Sequence, residues 1–276
     1  MSFQKSVFVT GAARGIGKHL SSCFHEKGYF VWLADIVISE LEAYAESWDS
    51  DSFEIVSLDV SNKSNWELLE KKLQNSFHTP QIWINNAGVV SPNYISDITF
   101  QSIDYQIDVN LKGVMYGTKV ASNILKKTGN GHIINIASLA GVAPINGLSE
   151  YSASKFGVRA FSLSLVEDLK KLGILISVIC PDLVNTQMLT DQLTNQAAAL
   201  TFSGTHVLNV SDIETAVFDK ALGKKKIEIL VPNSRGLLAK IGNFSPTLTT
   251  WLTEMLTKKG NKRRLALQGK NDSNKE

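Results

Sequence analysis

The sequence predicts an α/β fold: a single domain on a doubly wound parallel sheet of about seven strands, with helices on both faces. Three observations carry that expectation. Short β-branched and aromatic runs alternate with longer stretches of helical period, the pattern of repeated strand and helix units. The strand-like runs are almost continuously apolar, as strands covered on both faces must be, whereas a half-exposed strand alternates. No Pro-, Gly- or Ser-rich linker breaks the series before residue 233.

In chain order the strand runs are SVFVT (6–10), YFVWLAD (29–35), FEIVSLDV (53–60), QIWINNA (81–87), HIINIAS (132–138), ILISVICP (174–181) and IEILVP (227–232). Helical period falls at roughly 15–27, 38–48, 63–77, 102–127, 151–172 and 211–222. In 151–172 the apolar residues Phe156, Val158, Phe161, Leu163, Leu165, Val166 and Leu169 run almost all round. One face can meet the sheet, and the other needs cover from a partner subunit or from burial within the domain. Residues 1–233 thus read as the main domain. Past it, Leu237, Ile241, Phe244, Leu248, Trp251 and Met255 recur at three- and four-residue spacing, with Ser245 and Pro246 suited to cap and start a second short helix. Residues 234–258 read as an apolar helical extension and 259–276 as a basic, disordered tail.

With 276 residues, 43% hydrophobic and 20% charged, the chain has the composition of a soluble globular protein, which excludes fibrous and disordered classes. Cys23 and Cys180 lie far apart, and no charged-then-apolar leader pattern follows Met1, so a reduced, cytoplasmic setting is expected. No apolar run approaches the ~18 residues of a membrane-spanning helix. The net charge of +2 hides an asymmetry: residues 224–276 carry 12 Lys/Arg against 4 Asp/Glu, leaving the rest at −6. A solvated tail accounts for this; peripheral contact with an anionic membrane surface is the sharper alternative, and no nucleic-acid-binding module accompanies the charge.

Directly after the first strand run comes Thr10-Gly11-Ala12-Ala13-Arg14-Gly15-Ile16-Gly17, opening a helix. Glycines spaced G-x-x-x-G-x-G allow a tight turn, close approach to a pyrophosphate and helix-on-sheet packing, with the helix N-terminus facing the anion. Asp35 ends the second run, where a carboxylate can accept both ribose hydroxyls of an adenosine and repel a 2′-phosphate. That favours NAD as cofactor, while Arg14 beside the loop keeps NADP open. At further strand ends, Asp59 and Val60 suit an adenine amino group and ring face. Asn85 and Asn86 can tie neighbouring strands, and Ala87-Gly88 admits the ribose.

Tyr151 and Lys155 are four apart on a predicted helix, one turn from each other on one face. With 6 Tyr and 23 Lys, chance alone supplies about half such a pair. Position makes the pair informative: Ser138 ends the fifth strand run beside the same crevice, and Asn110 lies inside the preceding helix. A phenol titrating near 10 needs a neighbouring ammonium and a cationic nicotinamide ring to act as a base. The reading is that Tyr151 exchanges a proton with the substrate oxygen, Ser138 donates to that oxygen, and Asn110 holds a water linking Lys155 to solvent. Hydride passes directly to or from the nicotinamide, so no metal is expected.

With Thr10 to Gly17, Asp35, Asp59, Asn85 to Gly88, Asn110, Ser138 and Tyr151-x-x-x-Lys155 together, the chain resembles the short-chain dehydrogenase/reductase family over roughly residues 5–190. The resemblance implies a Rossmann-type sheet of seven strands, a catalytic serine, tyrosine, lysine and asparagine, and homodimers or homotetramers. It also implies that the loop Pro181-Asp182-Leu183-Val184-Asn185-Thr186 contacts the nicotinamide carboxamide, Thr186 fitting that role. The usual glycine after the proline is Asp182 here, which puts the path of that loop in doubt. Beyond it, Met188, Leu189, Leu193, Ala197 to Leu200, Phe202, Val207 and Leu208 suit either a mobile apolar lid, with Met188 against the substrate, or plain helix packing. A lid of this kind suggests an apolar alcohol or ketone: a steroid, a retinoid, or a long-chain or aromatic compound.

Rival readings are weaker. A serine hydrolase would need a G-x-S-x-G elbow, whereas 136–140 read Ile-Ala-Ser-Leu-Ala, and His19, His25, His78, His132 and His206 are scattered without an orienting partner in sequence. A non-catalytic dinucleotide sensor, an NADP-dependent ketone reductase, and an epimerase or dehydratase recycling bound NAD remain alternatives.

Overall fold

The computed structural model describes residues 5–204, 206–243 and 246–273, with the backbone alone over 246–252 and at 272 and 273. Seven strands form one parallel sheet: β1 (Ser6–Thr10), β2 (Phe30–Asp35), β3 (Phe53–Ser57), β4 (Ile82–Asn85), β5 (Gly131–Ile136), β6 (Ile174–Pro181) and β7 (Glu228–Val231). Their order is β3-β2-β1-β4-β5-β6-β7, so the winding reverses between β1 and β4. Such a reversal leaves a crevice at the carboxyl ends of the strands.

Helices α1 (Gly15–Glu26), α2 (Ile38–Ala45), α3 (Lys63–Gln74), α4 (Phe100–Ile107), α5 (Gly113–Leu125), α6 (Ser149–Ser164), α7 (Val166–Lys170), α8 (Gln187–Gln192), α9 (Val210–Thr215), α10 (Asn233–Asn243) and α11 (Pro246–Ser273) complete the fold. Successive residues of β1 bury on opposite faces: Val7 and Val9 join Leu20, Phe24, Val31 and Ile84 on one side, Phe8 joins Trp32, Trp66 and Trp83 on the other. Phe8 stacks on Trp83 with ring centroids 4.1 Å apart. Each large side chain so buried contributes about 1.5–3 kcal/mol, which explains why the strands lack polar alternation.

The structure departs from the expected elements in several places, among them the helix expected at 211–222, which is α9 followed by a π-helical stretch over Ala216–Gly223. The helix expected at 102–127 is α4 and α5 joined by a π-helical turn over Asp108–Lys112, an irregularity frequent at functional sites. The helix expected at 151–172 begins at Ser149 and is broken at Leu165 into α6 and α7. The third strand ends at Ser57, before Asp59 and Val60. Lastly, the short second helix and disordered tail are replaced by one long helix, α11, reaching Ser273. Of the apolar stripe, Phe244 and Ser245 lie outside the described residues, as do the side chains of Leu248 and Trp251.

The basic tail is helical because it has something to pack on. Gly260 meets the 3₁₀ segment Gln196–Ser203 so closely that a Cβ would sit 2.0 Å from the Ala199 carbonyl oxygen. Leu267 joins the cluster of Leu189, Leu193, Ala198 and Phe202. Arg264 is buried and donates to the Leu193 carbonyl. Burial of these groups outweighs the repulsion that the charge count alone suggested.

A buried polar ladder ties β4, β5 and α6 together: Asn85 Nδ2 donates to Asn135 Oδ1 at 2.8 Å, and Asn135 Nδ2 donates to Ser162 Oγ at 2.9 Å. Asn135→Ala takes one hydrogen bond each from Asn85 and Ser162, which keep Thr118 Oγ1 and the Val158 carbonyl as partners, and leaves a cavity, so a loss of about 1–3 kcal/mol in urea-unfolding stability is expected. A change under about 0.5 kcal/mol, within the range of surface substitutions, would show the ladder to be incidental.

Candidate active site

The crevice at the β1/β4 reversal is a cavity of about 510 Å³, a size that suits a cofactor-sized ligand. The sequence-predicted Gly11, Arg14, Gly15, Ile16, Asp35, Asn86, Ala87, Gly88, Ser138, Tyr151, Lys155, Pro181, Val184, Thr186 and Met188 all line it. Gly17, Asp59, Val60 and Asn110 do not.

At one end lies the glycine turn. Gly11 and Gly15 have φ of 65° and 52°, the left-handed region that only glycine enters without strain. A Cβ on Gly11 would lie 2.9 Å from Ala87 Cα, and one on Gly15 would lie 3.2 Å from the Thr186 methyl. The backbone is therefore bare where a ligand phosphate would approach the start of α1. Gly17 serves packing instead: a Cβ there would lie 2.0 Å from the Gly11 carbonyl oxygen. Asn86 braces the turn by donating to the carbonyls of Thr10 and Gly11 at 3.0 and 3.2 Å.

Asp35 accepts from the backbone N–H of Ala13 and of Val37, both at 3.0 Å, which aims its carboxylate at the cavity mouth. Arg14 also lines the cavity, and its exposed guanidinium is ion-paired with Glu40 on α2. Asp59 folds back to accept from the backbone and hydroxyl of Ser61 at 2.9 and 2.7 Å. Val60 packs on Gly113 of α5. Both follow the end of β3 at Ser57 and lie outside the residues that line the cavity.

At the other end stand Ser138, Tyr151 and Lys155. Ser138 caps the turn Leu139–Gly141 by accepting from Ala140 N at 3.1 Å. Lys155 is buried, donates to the Ile136 carbonyl at 3.0 Å, and holds its Nζ 5.7 Å from the Tyr151 ring centroid. Burial pulls the Lys155 ammonium down to about 8. Burial also pushes the Tyr151 phenol up to about 12, against a downward pull from its hydrogen bond with Ser138. Proximity of the lysine thus does not by itself make the phenol a base; a further positive charge is required.

Asn110, on the π-helical turn, is fully buried and lies behind the cavity. Its Oδ1 accepts from Val89 N at 2.7 Å, and its Nδ2 donates to Val89 O at 2.8 Å and Ser154 Oγ at 3.2 Å. Both side-chain donors are engaged, so the side chain ties the β4 loop to α6. Oδ1 also crowds Gly88, where a Cβ would lie 3.2 Å from it and 3.4 Å from Lys155 Nζ.

Asp182, the departure from the usual glycine, is largely buried and pairs with Arg235 of α10 at 2.8 Å. Arg235 also donates to Ser203 Oγ at 3.1 Å. Nothing near position 182 in the sequence signals that partner. The structure also gives His19 a distant partner, Glu214, beside its helical neighbour Cys23.

A family model for short chain dehydrogenases matches residues 5–197. An uncharacterized oxidoreductase of Staphylococcus aureus strain USA300 is 35% identical over 182 residues, covering 66% of this chain and 79% of that protein. Another from strain N315 is 32% identical over 225 residues, covering 82% and 94%. Among solved structures, a short chain dehydrogenase/reductase from Burkholderia phymatum in complex with NAD has a TM-score of 0.79 at 23% identity, covering 90% of this chain and 96% of that one. A Sphingobium yanoikuyae short-chain dehydrogenase in complex with NADPH has a TM-score of 0.74 at 23% identity, covering 89% and 95%. Fold and site thus define an oxidoreductase of the Rossmann type. The chain belongs to the short-chain dehydrogenase/reductase family.

The depressed Lys155 generates a pH test. Between pH 8 and 10.5 the unfolded lysine holds a proton that the folded one has released, so its contribution to stability rises with pH through that window and is least favourable below it. Lys155→Met should be the more stable protein at pH 7, by about 1–3 kcal/mol after the lost Ile136 bond is deducted. Its advantage should shrink toward pH 10; an advantage independent of pH in urea unfolding would contradict the buried-ammonium account.

Proposed function

We propose that the protein is an NAD-dependent dehydrogenase that interconverts an apolar secondary alcohol and its ketone. One observation carries the reading: a single cavity has the glycine turn and Asp35 at one end and Ser138, Tyr151 and Lys155 at the other. The bare backbone at Gly11, Gly15 and Gly88 fits a dinucleotide lying along it. When bound, the nicotinamide accepts or supplies the hydride and, in its oxidised form, adds the positive charge that the phenol lacks. Tyr151 then moves the proton at its phenolic oxygen, Ser138 donates to the substrate oxygen, and Lys155 supports phenolate across one helical turn. Asn110 acts as a positioning residue through Val89 and Ser154.

NAD is favoured over NADP because Asp35 presents a carboxylate at the ribose end while Arg14 is engaged by Glu40. For the substrate, Leu139, Ile145, Leu148, Leu183, Met188 and Leu189 supply apolar walls. Gln192 and Thr201 line the same cavity. A steroid, retinoid, or long-chain or aromatic substrate suits that lining. Half-exposed Met115 and Phe161 on α5 and α6 support a homodimer or homotetramer. On α10, exposed Leu237, Leu238 and Ile241 near the basic α11 support peripheral membrane contact; no helix among the described residues is long and apolar enough to cross a membrane.

The test is absorbance of the reduced cofactor with purified protein, NAD or NADP, and a panel of steroids, retinols and aliphatic alcohols. Turnover with NAD and a secondary alcohol is expected, and Asp35→Asn should lower the NAD-to-NADP ratio of kcat/KM about tenfold, the worth of one charge-assisted hydrogen bond. Turnover with NADP alone, or a ratio unmoved by Asp35→Asn, would overturn the cofactor assignment.

A further inference from the structure

We propose that His19, Cys23 and Glu214 form a zinc site that joins α1 to α9. His19 and Cys23 are four apart on α1 and therefore share a face one turn apart. Glu214 reaches them from α9. His19 Nε2 lies 2.9 Å from Glu214 Oε2 and 3.5 Å from Cys23 Sγ, and the three donor atoms lie within 4.8 Å of one another. With Zn–S near 2.3 Å and Zn–N and Zn–O near 2.0 Å, tetrahedral angles separate S from N by about 3.5 Å and N from O by about 3.3 Å. The S–N separation already matches, and the N–O pair need open by only a few tenths of an ångström.

The donor chemistry selects the metal. A thiolate with an imidazole and one carboxylate suits zinc, whereas calcium and magnesium require mostly oxygen. Cys23 is buried, while the His19 and Glu214 side chains keep 29% and 31% of their surface, leaving an entry path and room for water as a fourth ligand. Lys27 Nζ lies 3.9 Å from Glu214 Oε1, the oxygen that His19 does not use, and can hold the carboxylate in place. On binding, the Cys23 S–H releases its proton to water and the sulfur bonds to zinc. The proton that His19 Nε2 shares with Glu214 moves to Nδ1 through solvent, which frees Nε2 to bind, and water leaves the ion; no electron changes hands. Thiolate and carboxylate together balance the charge of +2. Since α9 follows the bridge between Val184 and Leu208, the ion would stiffen the link to the 181–186 loop.

Cobalt(II) serves as the spectroscopic probe on the full chain. One equivalent should produce a thiolate-to-cobalt charge-transfer band that zinc displaces, and zinc should raise the thermal unfolding midpoint. Cys23→Ser should lose the band and Cys180→Ser retain it. Should Cys23→Ser fail to fold, the half-exposed Glu214→Gln and His19→Gln variants decide, each expected to weaken cobalt binding at least tenfold. No band in the parent protein, a band that survives Cys23→Ser, or undiminished binding in Glu214→Gln would each show that the three residues merely bond the two helices together. NAD turnover is read separately, so loss of the metal site leaves the proposed activity standing.

Discussion

The ammonium of Lys155 reaches out of α6 to the carbonyl of Ile136 at the carboxyl end of β5, and the candidate active site is assembled around that bond. It can form only where α6 lies against the turn that follows β5. Gly141 makes the approach possible: a Cβ there would sit 2.4 Å from the Lys155 carbonyl oxygen. With the helix seated, Tyr151 comes to Ser138 one turn earlier, and Gly88 leaves space for the lysine. The arrangement places a cation in a buried site, and the depressed lysine and raised phenol are its signature. Perturbed groups facing one cavity at a strand-order reversal are what a proton-transfer site requires.

Around that centre, polar groups set geometry while apolar groups supply the stability. Asn85, Asn135 and Ser162 lock β4, β5 and α6 in register from within the core. Asn110 holds the loop after β4 against α6 from the π-helical turn. On the far side, Asp182 is pinned by Arg235, which also holds Ser203, and α11 seats on the segment containing that serine. The wall of the cavity nearest Met188 is thus backed by the C-terminal helix, which lies beyond the residues matched by the family model.

Much of this was legible in the sequence because the informative spacings are local. The glycine turn, Asp35 at a strand end and Tyr151 four residues before Lys155 are each read within one element, and all reach the cavity. What the sequence could not show depends on distant pairing. β3 ends at Ser57, so Asp59 and Val60 fall in the turn after it, and the Asn110 amide pairs with Val89 and Ser154, 21 and 44 positions away. The tail looked unstructured by charge alone, yet Gly260, Arg264 and Leu267 bury against residues some 60 to 75 positions earlier, a distance no local pattern spans. For Cys23, the four-residue spacing from His19 was a readable signal, but Glu214 was not.

The central claim is that the Tyr151 phenol moves the proton beside bound nicotinamide. Its most direct measurement is Tyr151→Phe, assayed for turnover with NAD and for NAD affinity by fluorescence quenching on the same preparation. Removing one oxygen should cut kcat by about a thousandfold, within the range of general acid–base catalysis, and leave the dissociation constant for NAD within about threefold, under 1 kcal/mol. A variant that turns over at the parent rate, or that loses NAD binding and activity in equal measure, would contradict the assignment.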